Sequence, residues 1–193
     1  ELCEEIPVRI TTESLPTLFK LSKKHDVAHL ICDALDENGL LPDGSEMRKR
    51  FLQERNMAIY RYEQMQYEFV QISETLAKHK IPFIPLKGSV IRAYYPEPWM
   101  RTSCDIDVLV QEKDLDRGVA ALRDDLRYVA NDKKDYHDIS LFSESGVHLE
   151  LHYSIRENIK KIDKLLSRAW EYVVVQEDSY RMSFREEYFI FHI

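Results

Sequence analysis

What this sequence lacks narrows its class before any motif is read. Its 193 residues contain no stretch approaching the roughly 18 uninterrupted apolar residues of a membrane span, so no membrane partner is expected. The opening ELCEEIPVRI has neither the basic start nor the apolar run of a secretory signal, and the cytoplasm is the expected location. Cysteine is sparse. Cys3, Cys32 and Cys104 are odd in number, far apart and never spaced as Cys-x-x-Cys, which suits free thiols in a reducing compartment and argues against a structural zinc site. Positive charge is in deficit, with 27 Lys and Arg against 34 Asp and Glu and a formal charge of −7. Passive binding to a nucleic-acid backbone relies on Lys and Arg neutralising phosphates, so such binding is disfavoured and only a local basic cleft stays open. Internal repeats and low-complexity tracts are absent as well.

What is present suffices for a soluble globular protein. With 44% hydrophobic and 32% charged residues, the chain is long enough for one sizeable core and a smaller helical appendage. Residues 1–80 are helical in character. In TTESLPTLFKLSKKH, Thr11, Thr12 or Ser14 serves as a cap, and Leu15, Leu18 and Leu21 recur at helical spacing. A second helix is expected over 27–35. The stretch ENGLLPDGSE, with Gly39, Pro42 and Gly44, is the clearest break, after which Ser45 caps a long helix running to about residue 79.

From 81 to about 180 the pattern changes to short β-like runs between helices, the mark of an α/β or α+β core. Strands are expected at 82–86, 105–110, 138–142 and 147–153, with residues 143–146 as a hairpin turn. KDLDRGVAALRDDL reads as an amphipathic helix, 162–170 as another, and VVVQ as a further strand. Residues 181–193 read as the start of a second helical region, a helix beginning in the last ten. The missing initiator Met and the uncapped apolar ending FREEYFIFHI give the expectation of a longer protein that continues past Ile193.

The chemistry concentrates in PLKGSVIRAYYPEPWMRTSCDIDVLV. Asp105 and Asp107, two apart on an expected strand, leave the same face of a sheet while Ile106 and Val108 leave the other. Two adjacent carboxylates repel, and a divalent cation with hard oxygen ligands relieves that repulsion; magnesium with a nucleoside triphosphate is the commonest such arrangement. Asp-x-Asp also occurs by chance on wet strand faces. Upstream, Gly88 and Ser89 follow a β-like run and open a helical one, a place for backbone N–H groups to hold phosphate or, more plainly, a capped turn. Lys87 and Arg101 flank the motif as cations for phosphate, Arg101 offering the bidentate fork. Tyr94, Tyr95 and Trp99 serve either base stacking or, more commonly around Pro96 and Pro98, loop packing.

Downstream, HLELHYS puts His148, Glu150 and His152 on one strand face and Val147, Leu149, Leu151 and Tyr153 on the other. If this strand pairs near 105–110, Glu150 completes a three-carboxylate set able to hold two metal ions for an in-line displacement. His152 then either orients Glu150 or an acceptor, or is simply a residue of the polar face. The competing assignment is a zinc-dependent hydrolase on His148, Glu150 and His152, weakened by the want of a thiolate or fourth ligand and by the splay of strand neighbours.

The succession Leu-Lys-Gly-Ser, Tyr-Tyr-Pro-x-Pro, Arg-x-x-x-Asp-Ile-Asp-Val-Leu-Val and Leu-Glu-Leu-His, over residues 82–154, resembles the uncharacterised nucleotidyltransferase family of the polymerase-beta-like superfamily. The resemblance implies a minimal nucleotidyltransferase core, a short mixed sheet flanked by helices, with added helical regions. It implies Gly88 and Ser89 on the triphosphate, Asp105 and Asp107 on metal and Glu150 as third carboxylate. In the wider superfamily the Gly-Ser element lies closer to the Asp pair and the third carboxylate is more often Asp; the longer connection YYPEPWMR and Glu150 both suit this family. The expected reaction is transfer of a nucleoside monophosphate from an NTP, with two magnesium ions, or manganese in their place, and release of pyrophosphate. The net acidity favours a small-molecule or protein acceptor over nucleic acid. A nucleotide-sensing module of the same fold that does not turn over is the rival from another class.

Overall fold

The computed structural model describes residues 10–134, 137–155, 163, 164, 166–175 and 180–184. The chain divides into two compact units, Glu1–Arg61 and Tyr62–Ile193. The first contains α1 (Leu15–Lys24), α2 (Ala28–Glu37) and the opening turns of α3 (Glu46–Lys78). Thr11 and Ser14 form a capping box ahead of α1, and the Ser45 hydroxyl accepts the Arg48 N–H, so both expected caps are in place. Leu15, Cys32, Leu35, Leu41 and Phe51 make the core of this unit. The buried stripe of α1 runs through Leu15, Leu18 and Ser22, whereas Leu21 is 53% exposed. A seven-residue step returns to the same helix face and a six-residue step does not.

In the second unit the strands are β1 (Phe83–Pro85), β2 (Asp105–Val110), β3 (Val129–Lys134), β4 (Asp138–Phe142) and β5 (His148–His152). They form one mixed sheet in the order β1-β2-β5-β4-β3, with β2 and β5 parallel and the other neighbours antiparallel. The result is an α/β architecture consistent with a minimal nucleotidyltransferase core. Alternation along β2 and β5 sends Ile106, Val108, Val110, Leu149 and Leu151 to one face. There they pack on Met65, Phe69, Ile72 and Leu76 of α3, which recur at helical spacing, and on Leu115 and Leu122 of α5 (Leu115–Leu126). Gly118 of α5 faces this core, where a Cβ would meet a Leu151 methyl at 3.4 Å, an ordinary contact distance. The hairpin turn between β4 and β5 closes at Gly146, whose φ of +81° suits a residue without a Cβ.

On the opposite face, Ile84, Leu86 and Leu109 pack with Ile155, Trp170, Val173, Met182 and Phe184. Part of that cover is a two-stranded ribbon, β6 (Val173–Val175) with β7 (Met182–Phe184). Neither β7 nor β3 was anticipated from sequence. β3 reads VANDKK, without apolar alternation, because it is an edge strand with solvent beside it. A helix was expected to begin within the last ten residues; Phe184 belongs to β7, and 185–193 lie outside the described residues. Within 162–170, residues 163, 164 and 166 are helical and Ala169–Tyr172 forms a 3-10 turn, while 162 and 165 are likewise outside. No described helix is long and apolar enough to cross a membrane.

The central ladder should therefore dominate stability. Leu149, fully buried between α3 and the sheet, should cost about 2–5 kcal/mol when changed to Ala. Val129→Ala on the exposed edge strand should cost well under 1 kcal/mol, and urea denaturation of both variants measures the contrast.

Candidate active site

The parallel pairing of β2 with β5 sets Asp105 opposite His148, Asp107 opposite Glu150 and Leu109 opposite His152. Asp105, Asp107 and Glu150 thus share one face of the central ladder. Ligating atoms of Asp105, His148 and Glu150 lie within 4.8 Å of one another, and so do those of Asp107, Glu150 and His152. Glu150 belongs to both groups. Asp105 and Glu150 are partly accessible, whereas Asp107 is 2% exposed.

An ionised carboxylate at that depth needs compensation. It has two partners: the Lys87 ammonium donates to Asp107 Oδ1 at 2.6 Å, and His152 Nε2 lies 2.9 Å from the same oxygen. Because an ionised carboxylate only accepts, His152 presents its Nε2–H. Burial alone would raise the Asp107 pKa; the hydrogen bonds and charges of His152 and Lys87 outweigh it and bring the value down from 3.8 to about 2. Glu150 moves the other way, pushed up by burial and by the Asp107 charge beside it, with Lys87 and His152 offsetting only part. Of the two carboxylates, Glu150 takes the first proton. Burial disfavours the Lys87 charge, yet its contacts with Asp107, Glu150 and Asp105 raise its pKa overall, so it stays an ammonium.

Lys87 pays a backbone cost for its place, with φ +41° and ψ −116° at the turn between β1 and α4 (Gly88–Ile91). A side chain in that region is strained, and such strain persists where the surroundings fix it. Next to it, Gly88 is held where a Cβ would come within 3.2 Å of the Ser103 side chain and 3.4 Å of the Arg101 guanidinium. Arg101 therefore stands beside the Gly-Ser turn, as its flanking position suggested. The N–H groups of Ser89, Val90 and Ile91 are engaged by the carbonyls of Leu86 and Lys87, closing the turn. Leu86 N–H in turn donates to the Asp107 carbonyl at 3.0 Å, tying the loop to the strand that carries the carboxylates.

Sequence reasoning missed Arg92. It is 7% exposed, donates from Nε to the Gly88 carbonyl at 2.8 Å and from a terminal nitrogen to Ser103 Oγ at 2.7 Å, and lies over the Tyr62 ring. It braces the Gly88 turn from behind; only its place one turn after Gly88 on an expected helix could have signalled this. His148 meets Ser140 Oγ at 3.1 Å and stacks on Phe142, while His152 sits on Asp107, so the two imidazoles fall in different ligand groups. That separation disfavours a zinc site built on His148, Glu150 and His152 together. Trp99 is buried with its loop, and Tyr94 and Tyr95 are exposed.

The residues fit a divalent cation. The set is dominated by carboxylate oxygens, and the Lys87 ammonium, 2.6 Å from Asp107 and 3.7 Å from Glu150, already places one positive charge beside both. With this geometry in place, comparison with known proteins shows that the profile of a family described as "Uncharacterised nucleotidyltransferase" covers residues 12–193. No curated protein and no solved structure matches significantly.

Two outcomes follow for the metal-free protein. Because folding lowers the Asp107 pKa, its contribution is fully present above the ordinary value of 3.8 and lost as pH falls through about 2. That contribution is on the order of 2 kcal/mol, and acid unfolding with chelator should be less steep between these values in Asp107→Asn than in wild type. Arg92→Met leaves Gly88 and Ser103 without their donor and should destabilise by about 1–3 kcal/mol, with Arg92→Lys recovering part of the loss in thermal unfolding.

Proposed function

This chain belongs to the uncharacterised nucleotidyltransferase family, and from that premise we propose that it transfers a nucleoside monophosphate from an NTP to an acceptor, with magnesium held by Asp105, Asp107 and Glu150. The observation that carries this reading is the place of Glu150. It lies directly beside Asp107 in the parallel ladder and belongs to both ligand groups, as a carboxylate shared by two neighbouring ions would. Magnesium bound there, or manganese in its place, would supply Lewis-acid polarisation of the α-phosphate and activation of the acceptor oxygen.

The protein's own groups supply the rest. With the N–H groups of Ser89, Val90 and Ile91 already engaged within the turn, it is the Ser89 hydroxyl that meets the triphosphate tail beside Gly88, and Arg101, next to that turn, offers a planar fork to its oxygens. The Lys87 ammonium lies beside both Asp107 and Glu150; a triphosphate gives it a further anion to neutralise. His152, through its Nε2–H, holds Asp107 in one orientation. With the tail anchored at Gly88 and Ser89, the α-phosphorus faces the carboxylates, the acceptor attacks in line and pyrophosphate leaves. No side chain forms a covalent intermediate. The net charge of −7 supports a small-molecule or protein acceptor over a nucleic acid.

The test is transfer of label. Incubation with each α-labelled NTP, magnesium and a lysate of the source cells should move label to an acceptor and release pyrophosphate, and Asp107→Asn and Glu150→Gln should reduce both signals to background. Glu150→Gln should do so with little change in melting temperature. Release of orthophosphate alone refutes nucleotidyl transfer. Magnesium-dependent NTP binding without turnover against any acceptor pool points to the nucleotide-sensing module.

A further inference from the structure

The polar face of the sheet continues past β5. Across the β4–β5 ladder Asp138 stands directly opposite His152, with His137 just before it in the chain. Asp138 and His152 are 6% and 5% exposed, and His137 is half-buried. His137 Nε2 lies 2.8 Å from Asp138 Oδ2, and the His137 and His152 rings stack with centroids 5.7 Å apart. One ligating atom from each of the three lies within 4.8 Å of the others. We propose that His137, Asp138 and His152 form a site for a late first-row transition ion, zinc in the first instance, behind the carboxylate set and different from it in chemistry.

Two imidazoles and one carboxylate are a donor set for zinc and its neighbours; magnesium, which prefers oxygen and keeps its waters, is poorly served by it. The hydrogen bond from His152 Nε2 to Asp107 supplies an independent indication. Metal-ligating histidines characteristically donate their other ring N–H to a carboxylate, which fixes the tautomer and leaves a lone pair on the remaining nitrogen. Here Asp107 accepts the Nε2–H, which leaves Nδ1 as the nitrogen a metal would take from the neutral ring. The His137 end is held as well, its carbonyl accepting the N–H groups of Tyr153 at 3.0 Å and Ser154 at 3.3 Å.

The fit requires the His152 nitrogen, within 4.8 Å of the other two ligand atoms, to draw in toward them. Two bonds of about 2.0–2.1 Å from one tetrahedral ion separate their ligand atoms by about 3.3 Å, so the 2.8 Å His137–Asp138 contact opens slightly as the ion replaces the proton within it. Three protein ligands leave a fourth position for water. A bound ion would lock the His152 ring and, through it, the orientation of Asp107. Binding at this site does not depend on the chain transferring nucleotides.

Tag-free protein, stripped by chelation, is titrated with zinc against a chromogenic chelator in the presence of excess magnesium. Wild type should take up one zinc that magnesium does not displace, and cobalt in its place should give a visible absorption band. His137→Gln and Asp138→Asn should weaken zinc by about 100-fold or more, beyond what loss of an outer-shell partner does. Asp105→Asn and His148→Gln should leave it unchanged. Zinc should raise the melting temperature of wild type and not that of His137→Gln, whose metal-free melting temperature should match wild type; this variant at a half-buried position carries the test if Asp138→Asn does not fold. Absence of competitive zinc uptake overturns the proposal, as does zinc binding that survives in His137→Gln but is lost in Asp105→Asn or His148→Gln.

Discussion

Asp107 has almost no contact with water, yet its carboxyl is held ionised down to about pH 2, and that pairing dictates much of what surrounds it. Removing a carboxylate from water is costly, and the cost is met only by donors that are equally well placed. Lys87 and His152 meet it from two sides. To bring its ammonium there Lys87 adopts a strained backbone, and the strained turn in turn sets Gly88 against Ser103 and Arg101. The phosphate-side loop and the carboxylates are thus one mechanical unit, further joined by the Leu86–Asp107 backbone bond and by Arg92 behind Gly88.

The sheet makes this affordable by keeping its two faces separate. Strict alternation in β2 and β5 sends every apolar side chain of Ile106, Val108, Leu149 and Leu151 into one core, and all the ionisable ones to the other side. That second side is itself divided. Near Ile84 and Leu109 it is covered by apolar groups, including the β6–β7 ribbon, while toward Asp105 and Glu150 it stays accessible. A charged site can therefore sit on a sheet whose other surface supplies most of the stability.

Much of this was legible in the residues themselves. Period-two alternation in DIDVLV and HLELH named both faces of both strands, and the breakers around Gly39 and Gly44 marked the start of α3. The capping roles of Thr11 and Ser45 followed from local chemistry alone. What remained hidden was whatever depends on pairing. Nothing in the chain says that β5 lies parallel to β2 with Asp107 beside Glu150, or that Asp138 faces His152. β3 was invisible because a solvated edge strand needs no apolar pattern, and Arg92 because a buried Arg looks like a surface one until its acceptors are known.

The parallel pairing also carries a consequence in time. Parallel neighbours cannot be joined by a tight turn, and here the connection from β2 to β5 contains α5, β3 and β4. As the chain emerges from the ribosome, Asp105 and Asp107 come out with their loop well before the strand that bears Glu150 and His152. Their mutual repulsion is unrelieved by that partner strand until the antiparallel β4–β5 hairpin has formed and docked, a long-range closure of the kind that slows folding. A chain arrested before residue 150 would therefore carry the aspartates without Glu150 beside them to share a cation.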